Sequence, residues 1–310
     1  MALAGFWGIL AGMAIPVGQR EFENVSRLLA PAKAEDLGTG DVTGALLPAG
    51  LRARARFVAR EEVVFCGGVF LPAVAEAYGG EIATELRVAD GGRASAGAAV
   101  ACWSGPARAM FAAERVALNF LQRLSGIATV TASYVAAVSG TGARILDTRK
   151  TTPGWRALEK YAVRCGGGTN HRRGLYDAVL VKDNHLAALA ASGRVRPIEA
   201  IGERLSAARP GLGPEGFVEI EVDTLSQLAE VLALPVDVVL LDNMPPGELR
   251  RAVAMRDAAG LRGRVALEAS GGVTLETVGA IAATGVERIS VGALTHSVRA
   301  VDLGLDVEFT

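Results

Sequence analysis

Short apolar runs alternate with amphipathic stretches along the second half of the chain. Six apolar runs, typical of strands buried on both faces, occupy residues 143–146, 178–181, 217–222, 237–241, 264–268 and 288–291. Helical periodicity lies between them, at residues 198–208, 225–232, 246–259 and 275–283. Repeated strand–helix units predict a parallel sheet covered by helices. If that sheet closes into a barrel, the active site lies at the carboxyl ends of its strands.

The first part of the chain has a different pattern. Residues 21–33 are helical in period, and Arg52, Arg54 and Arg56 alternate with apolar residues, which predicts a half-buried strand with its arginines in solvent. Further strands are predicted at residues 81–88 and 98–103, and a helix at residues 107–125. On that helix Arg115 and Asn119 share one face. We therefore expect a small α+β domain with an antiparallel sheet.

Composition narrows the class of protein. The 310 residues are 50% hydrophobic and 21% charged, which is globular, and a net charge of −1 gives no electrostatic case for nucleic acid. The three cysteines, Cys66, Cys102 and Cys165, form no C-x-x-C pair, which argues against a zinc site or disulfide framework. Residues 1–17 are apolar but lack a basic start and are too short to span a bilayer. We expect an N-terminal extension over residues 1–20, no membrane and a cytoplasmic chain.

Lysine is rare in this chain and is concentrated in one stretch. Residues 145–185 hold three of the 4 lysines, which stand against 28 arginines, and two of the three histidines. A compact ammonium differs from a planar guanidinium and suits some bound anions better. Lys150, Lys160 and Lys182 are therefore candidates for anion binding. Chance placement on a solvated surface is the alternative, above all for Lys160, which lies in a helical pattern at residues 155–163.

Polar clusters follow two of the buried runs. Asp147, Thr148, Arg149 and Lys150 follow the first, and Lys182, Asp183, Asn184 and His185 follow the second. Charges at the end of a buried strand must reach solvent, pair or hold a ligand. Between the clusters, three glycines at residues 166–168 precede Asn170, His171 and Arg172. A glycine loop lets its backbone approach a phosphate closely, although loops use glycine for other reasons too.

These segments carry a family resemblance. DTRKTTPG, EKYAV, GGGTNHR and KDNH resemble, in order and spacing, the motifs of quinolinate phosphoribosyltransferases. The likeness extends to EDLGTGDVT, ERVALNFLQRLSGIAT, EIEV, LLDNM, EASGGV and SVGALTHS, and so covers residues 35–306. It implies an incomplete, seven-stranded βα barrel over residues 121–296 with a smaller N-terminal α+β sandwich domain over residues 21–120, joined by residues 297–310. The apolar pattern itself shows six strands and no seventh.

The resemblance also implies an activity. Enzymes of this family transfer phosphoribosyl from phosphoribosyl pyrophosphate to quinolinate, with decarboxylation, as magnesium-dependent homodimers with shared active sites. Arg149 and Arg172 can bind carboxylates bidentately. The residues that complete the substrate pocket, as the resemblance implies, are Thr148, His171, Lys182 and Arg115 of the neighbouring subunit.

Acids and small residues recur at the other strand ends. Glu219, Glu221 and Asp223 alternate with apolar residues, so period two places them on one face. Glu221 and Asp242 are expected to hold Mg²⁺ directly or through water, or to contact the ribose hydroxyls, and to stabilise positive charge on the ribose. Lys150 is expected to steady the leaving pyrophosphate.

A phosphate pocket is expected after the last two strands. Its residues are Ser270, Gly271, Gly272, Val291, Gly292 and Ala293. Glycine-bearing turns at this place commonly bind phosphate in βα barrels, although they also occur as plain tight turns. His185 is expected to brace its loop and His296 to make a structural hydrogen bond.

Three alternatives stay open at this point. A transferase of the same fold can act on nicotinate or another ring. A phosphosugar isomerase or synthase barrel uses the same phosphate pocket but needs a general acid–base pair. A binding module without catalysis predicts ligand binding and no turnover.

Overall fold

The computed structural model describes residues 15–193 and 196–310, apart from the side chains of Glu203 and Ser206. The predicted extension at residues 1–20 lies largely outside them. The described chain divides into two compact units. The first contains the described residues up to Ala132, together with Thr151–Gly167 and Leu294–Thr310, and the second contains Ser133–Lys150 and Gly168–Ala293. Within the described ranges, every helix is too short or too polar to cross a membrane.

The predicted strands and helices occur in the predicted order, and the structure adds further elements between and after them. The strands are β1 (Arg52–Ala59), β2 (Val63–Val64), β3 (Ala83–Leu86), β4 (Arg93–Ala94), β5 (Ala99–Pro106), β6 (Arg144–Leu146), β7 (Val179–Val181), β8 (Val218–Val222), β9 (Val238–Asp242), β10 (Ala266–Ser270), β11 (Arg288–Ser290) and β12 (Leu303–Phe309). The helices are α1 (Gln19–Leu37), α2 (Leu71–Ala77), α3 (Ala107–Ala137), α4 (Arg156–Cys165), α5 (Asp183–Ala191), α6 (Pro197–Ala208), α7 (Leu225–Val231), α8 (Pro246–Ala258), α9 (Leu275–Ala282) and α10 (Ala293–His296).

The first unit is built on an antiparallel sheet with the strand order β12-β1-β5-β3. The arginines of β1 are exposed and the residues between them are buried, which confirms the predicted alternation. Phe57 packs edge-to-face on Trp103 of β5, with ring centroids 4.8 Å apart. The last strand of the chain, β12, pairs with β1, so the carboxyl-terminal segment completes this sheet.

Helix α4 of the first unit is anchored at a buried carboxylate. Tyr161 donates a hydrogen bond to Asp90 (2.8 Å), which also accepts the backbone N–H groups of Gly67 and Gly68 (2.9 Å each). Burial raises the pKa of Asp90 to about 6. The helix ends just before Gly166, where a Cβ atom would lie 2.4 Å from the carbonyl oxygen of Ala128. Packing therefore accounts for at least one of the three glycines.

The second unit is a parallel sheet of six strands in the order β6-β11-β10-β9-β8-β7. All six strands predicted from the apolar runs are confirmed, within two residues at their ends. Beside β6, Thr169 makes a single parallel bridge to Leu146. In the described part of the chain the sheet has no seventh strand. The confirmed architecture is thus an α/β chain with a six-stranded parallel sheet and a smaller N-terminal domain.

One face of this sheet is unusually polar. Strand pairing aligns Leu180 with Glu219, Glu221 with Leu240, and Asp242 with Ser270. Because residues two apart point to the same face, the register collects a set of charged and hydroxyl side chains there. They are Lys182, Glu219, Glu221, Asp242, Glu268, Ser270, Arg288 and Ser290.

Candidate active site

The loop that carries His171 and Arg172 is held by the carboxylate of Asp147. Asp147 follows β6 and is fully buried. One of its oxygens accepts the backbone N–H of His171 (2.9 Å), and the other accepts the side-chain amide of Asn170 (2.6 Å). The Thr169 N–H donates to the carbonyl of Ile145 (2.8 Å). The end of β6 therefore fixes the backbone of the loop.

His171 uses both ring nitrogens inside the protein. Nε2 lies 2.9 Å from a carboxylate oxygen of Glu219 and 3.4 Å from one of Glu268. Nδ1 accepts the backbone N–H of Arg172 at 2.7 Å. On the far side, Arg288 Nε donates to Glu268 at 2.6 Å. His171, Glu219 and Glu268 are all buried.

Two effects oppose each other at the His171 ring. Burial lowers the pKa of His171, and the nearby carboxylates of Glu219 and Glu268 raise it. A second ring proton would occupy Nδ1. The backbone N–H of Arg172 needs a lone pair on Nδ1 as its acceptor, so the two hydrogens would collide. The ring is therefore assigned as neutral, with its proton on Nε2.

The two glutamates differ in their affinity for a proton. Burial and the charge of Glu268 raise the pKa of Glu219. Burial also acts to raise the pKa of Glu268, but His171 and Arg288 outweigh it and lower the pKa. The surroundings therefore favour the charged form of Glu268 more than that of Glu219.

Arg149 and Arg172 form a pair of like charges. Burial lowers the pKa of Arg172, and the charge of Arg149 lowers it further. The Arg172 guanidinium also donates to the carbonyl of Ala178 at 3.3 Å. Guanidinium groups held near each other repel, so such an arrangement favours an anion between or beside them. These neighbouring like charges are an electrostatic indication of an anionic ligand in the second unit.

Lys182 and Glu221 form an ion pair on the polar sheet face. Their charged atoms are 2.6 Å apart, with Lys182 about half exposed and Glu221 buried. The backbone N–H of Lys182 donates to Nδ1 of His185 at 2.9 Å, which confirms the bracing role predicted for His185. Lys182 immediately precedes α5, a helix that the sequence pattern did not predict.

Other predicted residues are distributed as follows. Asp242 accepts the side-chain amide of Asn243 (2.7 Å) at the end of β9. Lys150 is exposed, and its backbone N–H donates to the hydroxyl of Thr148 (3.0 Å). Arg115 is exposed on α3, as is Asn119 one turn later, and both belong to the first unit.

Two expectations need correction. Asp223 lies beyond the end of β8 and is exposed, and its backbone N–H donates to Gln227, so only two of the three acids share the buried face. Lys160 is only 2% exposed, so the alternative that it lies on a solvated surface is wrong.

His296 contacts the hydroxyl of Ser297 at 2.6 Å, in agreement with the structural hydrogen bond expected for it.

The turn after β10 depends on its glycines. Gly271 and Gly272 have φ values of +94° and +57°. At Gly271 a Cβ atom would lie 2.1 Å from the side-chain oxygen of Asn243, whereas the space at Gly272 is open. The turn leads to Thr274 at the start of α9. After β11, the N–H of Val291 donates to the carbonyl of Leu146.

Two family models match the chain. Residues 41–125 match the N-terminal domain of quinolinate phosphoribosyl transferase, and residues 127–306 match its C-terminal domain. The chain belongs to the quinolinate phosphoribosyltransferase family.

Individual relatives of the family are similar over nearly their whole length. The probable nicotinate-nucleotide pyrophosphorylase (carboxylating) of Bacillus subtilis is 41% identical, over 91% of this chain and 93% of that protein. The nicotinate-nucleotide pyrophosphorylase (carboxylating) of Mycobacterium leprae is 44% identical, over 93% and 98%. The solved nicotinate-nucleotide pyrophosphorylase of Francisella tularensis has 39% identity and a TM-score of 0.82, covering 92% of this chain and 96% of that one.

The sequence analysis assigned no function to three residues of the candidate site: Asp147, Glu268 and Arg288. Glu268 had a usable signal, because it lies two residues before Ser270 in an apolar run and so shares a face with it. Arg288 begins the last apolar run, two residues before Ser290, so the same period of two places these side chains on one face. Asp147 stood in the predicted polar cluster, but spacing alone does not show that it bonds to the loop 23 or 24 residues later.

The glycine turn gives a matched pair of variants. We expect Gly271→Ala to lower the free energy of unfolding by about 3 kcal/mol, because it combines a positive φ with the overlap on Asn243. Gly272→Ala meets only the backbone penalty and should cost about 1 kcal/mol. Urea unfolding of both variants measures the difference. Equal losses would show that the contact with Asn243 relaxes freely.

Proposed function

We propose that this protein transfers the phosphoribosyl group of phosphoribosyl pyrophosphate to quinolinate, releasing pyrophosphate and CO2 and forming nicotinate mononucleotide for NAD biosynthesis. The observation that carries the proposal is the pair of like charges at Arg149 and Arg172. Both arginines belong to the same unit as the acids Glu221 and Asp242 and the glycine turn at Gly271. Membership of the family supports the same activity.

The dicarboxylate accounts for the cations. Arg149 and Arg172 bind one carboxylate each or share one, and Lys182 contributes a third positive charge. Charge-assisted hydrogen bonds of this kind contribute about 1.5–3 kcal/mol each. Thr148 lies at the start of the same cluster. Arg115 is assigned to the pocket of a second copy of the chain, because its exposed position on α3 suits contact with a partner.

The phosphoribosyl group accounts for the small residues and the acids. Its phosphate is placed at the turns formed by Ser270, Gly271, Gly272, Val291, Gly292 and Ala293. Glu221 and Asp242 share one sheet face and are placed at the ribose, where they stabilise positive charge as the bond to pyrophosphate breaks. Lys150 is exposed and positively charged, and is placed at the leaving pyrophosphate.

The reaction needs no protein nucleophile. The ring nitrogen of quinolinate forms a bond to the anomeric carbon of the ribose, and the bond from that carbon to pyrophosphate breaks. The ring is then cationic and accepts the electron pair of the bond to its 2-carboxylate, which leaves as CO2. A proton from solvent replaces the carboxylate on the ring carbon. The side chains bind, orient and stabilise charge, in agreement with a site made of ionic groups.

Glu221 and Asp242 would also hold Mg²⁺. Their carboxylate oxygens are the ligand type that Mg²⁺ prefers, and both project from one face of adjacent strands. Bound there, the ion would neutralise charge on the pyrophosphate. Magnesium dependence is part of the proposal.

The proposal extends to architecture and assembly. We place Thr169, through its bridge to Leu146, at the position of the seventh strand of an incomplete barrel. Glu219 and Glu268 come from β8 and β10, with β9 between them, yet both approach one imidazole nitrogen, which supports strong curvature. We assign residues 21–120 and 297–310 to the sandwich domain and residues 121–296 to the barrel, in a cytoplasmic homodimer.

Pyrophosphate release tests the transfer step. We expect release with quinolinate and phosphoribosyl pyrophosphate that stops when a chelator removes magnesium and returns when magnesium is added. Nicotinate in place of quinolinate serves as the control, because it lacks the 2-carboxylate. Release with nicotinate alone would assign the chain to a different ring substrate. Full activity with chelator present would contradict the magnesium proposal.

Mixed dimers test the shared site. Arg115→Ala and Lys182→Ala homodimers should each lose at least about tenfold in kcat/KM. A heterodimer of the two variants should recover about half of the wild-type activity per dimer, because one of its two sites contains both residues. No recovery in verified heterodimers would contradict the shared site, whereas homodimers of wild-type chain provide the upper reference.

A further inference from the structure

Two of the three cysteines meet inside the first unit. Cys66 follows β2 and Cys165 ends α4, so they are far apart in sequence, yet their sulfur atoms and a carboxylate oxygen of Asp90 lie within 4.8 Å of one another. Both cysteines are free thiols and both are buried. Buried cysteines often serve as small apolar side chains. A carboxylate beside two thiols is not an apolar surrounding, so packing alone does not account for this group.

Asp90 fixes the chain next to both thiols. It accepts the backbone N–H groups of the two residues that follow Cys66, and the hydroxyl of Tyr161, which lies one helical turn before Cys165. Ser125 of α3 bonds both backbone groups of Cys66, because its hydroxyl accepts the N–H (2.9 Å) and donates to the carbonyl (3.2 Å). The two thiols are therefore held close together before any bond joins them, so little conformational freedom is lost when one forms.

The two thiols differ in reactivity. Burial raises the pKa of the Cys66 thiol, and a hydrogen bond with Cys165 and the charge of Asp90 raise it further. Cys66 therefore stays protonated near neutral pH and is a poor first nucleophile, because the thiolate is the reactive form. Cys165 is 5% exposed, whereas Cys66 is completely buried. Cys165 is thus the sulfur that a small oxidant reaches first.

We infer that Cys66 and Cys165 form a reversible disulfide site, which hydrogen peroxide oxidises through Cys165. The Cys165 thiolate attacks one oxygen of the peroxide, the O–O bond breaks, and the departing hydroxide takes up the thiol proton as water, which leaves a sulfenic acid. The sulfur of Cys66 then attacks the sulfur of Cys165, the S–O bond breaks, and hydroxide leaves with the Cys66 proton as water. The peroxide gains the two electrons that the two thiols lose.

The disulfide joins α4 to the segment after β2 within one unit. A cross-link between distant residues removes conformations from the unfolded chain, and it costs the native state little where the sulfur atoms already lie close. The oxidised protein is therefore the more stable form. The inference uses neither the substrate nor the residues of the candidate active site, so it is independent of the proposed transfer reaction.

Thiol counting and peptide mapping test the site. The native protein is treated with hydrogen peroxide, blocked with N-ethylmaleimide and digested without reductant. We expect free thiols to fall from three to one per chain, since a disulfide consumes two of the three cysteines, and to return with dithiothreitol. Mass spectrometry should find the peptides of Cys66 and Cys165 joined. Three remaining thiols, a disulfide through Cys102 or a link between two chains would overturn the inference, as would sulfinic acid at Cys165 with Cys66 still a thiol.

Cys102→Ala is the matched control, because Cys102 is also a buried free thiol but lies on β5. It should leave the joined peptides unchanged, whereas Cys165→Ala should abolish them. Loss of the joined peptides in Cys102→Ala would contradict the assignment of the pair.

Thermal unfolding tests the effect on stability. We expect the Tm of the wild-type protein and of Cys102→Ala to rise by about 5 °C on oxidation, and that of Cys66→Ala not to rise. Each variant is compared with its own reduced form, so stability lost through the substitution itself does not affect the result. A lower Tm of the disulfide form would show that the fold does not place the two sulfur atoms for this bond.

Discussion

The hydrogen bonds that the carboxylate of Asp147 accepts from Asn170 and His171 are the constraint on which the candidate site depends. They tie the end of β6 to a segment that is 23 or 24 residues away in sequence. A loop that contains three glycines has a large conformational entropy to lose, so it needs a strong anchor. A buried carboxylate that accepts two hydrogen bonds provides one. Once the loop is held, His171 reaches the glutamates of two strands and Arg172 lies near Arg149.

The charged side chains of the second unit are concentrated at positions where burying them contributes little to the stability of the fold. Apart from α5, the helices of the second unit bury apolar side chains, as do most of its strand residues, whereas one sheet face collects acids, Lys182 and Arg288. Buried charges must be paired to be tolerated. Here the pairs Lys182–Glu221 and Arg288–Glu268 satisfy that need. Arg149 and Arg172 are neighbouring like charges on the same unit, which is the feature that the proposed polyanionic ligand explains.

The sequence predicted the strands well because buried parallel strands are continuous apolar runs. It did not predict α5, because the residues that follow Asp183, Asn184 and His185 in this helix are only leucines and alanines, which show no amphipathic period, and none of them is buried. It missed β12 because the mixed segment Leu303–Phe309 becomes a strand by pairing with β1. The family motifs contained Arg149, Arg172 and Lys182. The meeting of Glu219 and Glu268 at His171 depends on sheet register and curvature, which spacing along a single sequence does not contain.

Release of labelled CO2 from quinolinate that carries the label in its 2-carboxylate tests the central claim most directly. The claim is that these cations and acids bind a pyridine dicarboxylate and phosphoribosyl pyrophosphate so that the ring becomes cationic and loses that carboxylate. The account predicts label release that requires enzyme, phosphoribosyl pyrophosphate and magnesium together. It is contradicted if the label stays in the ring product while pyrophosphate is released, or if no label is released under any combination of the three.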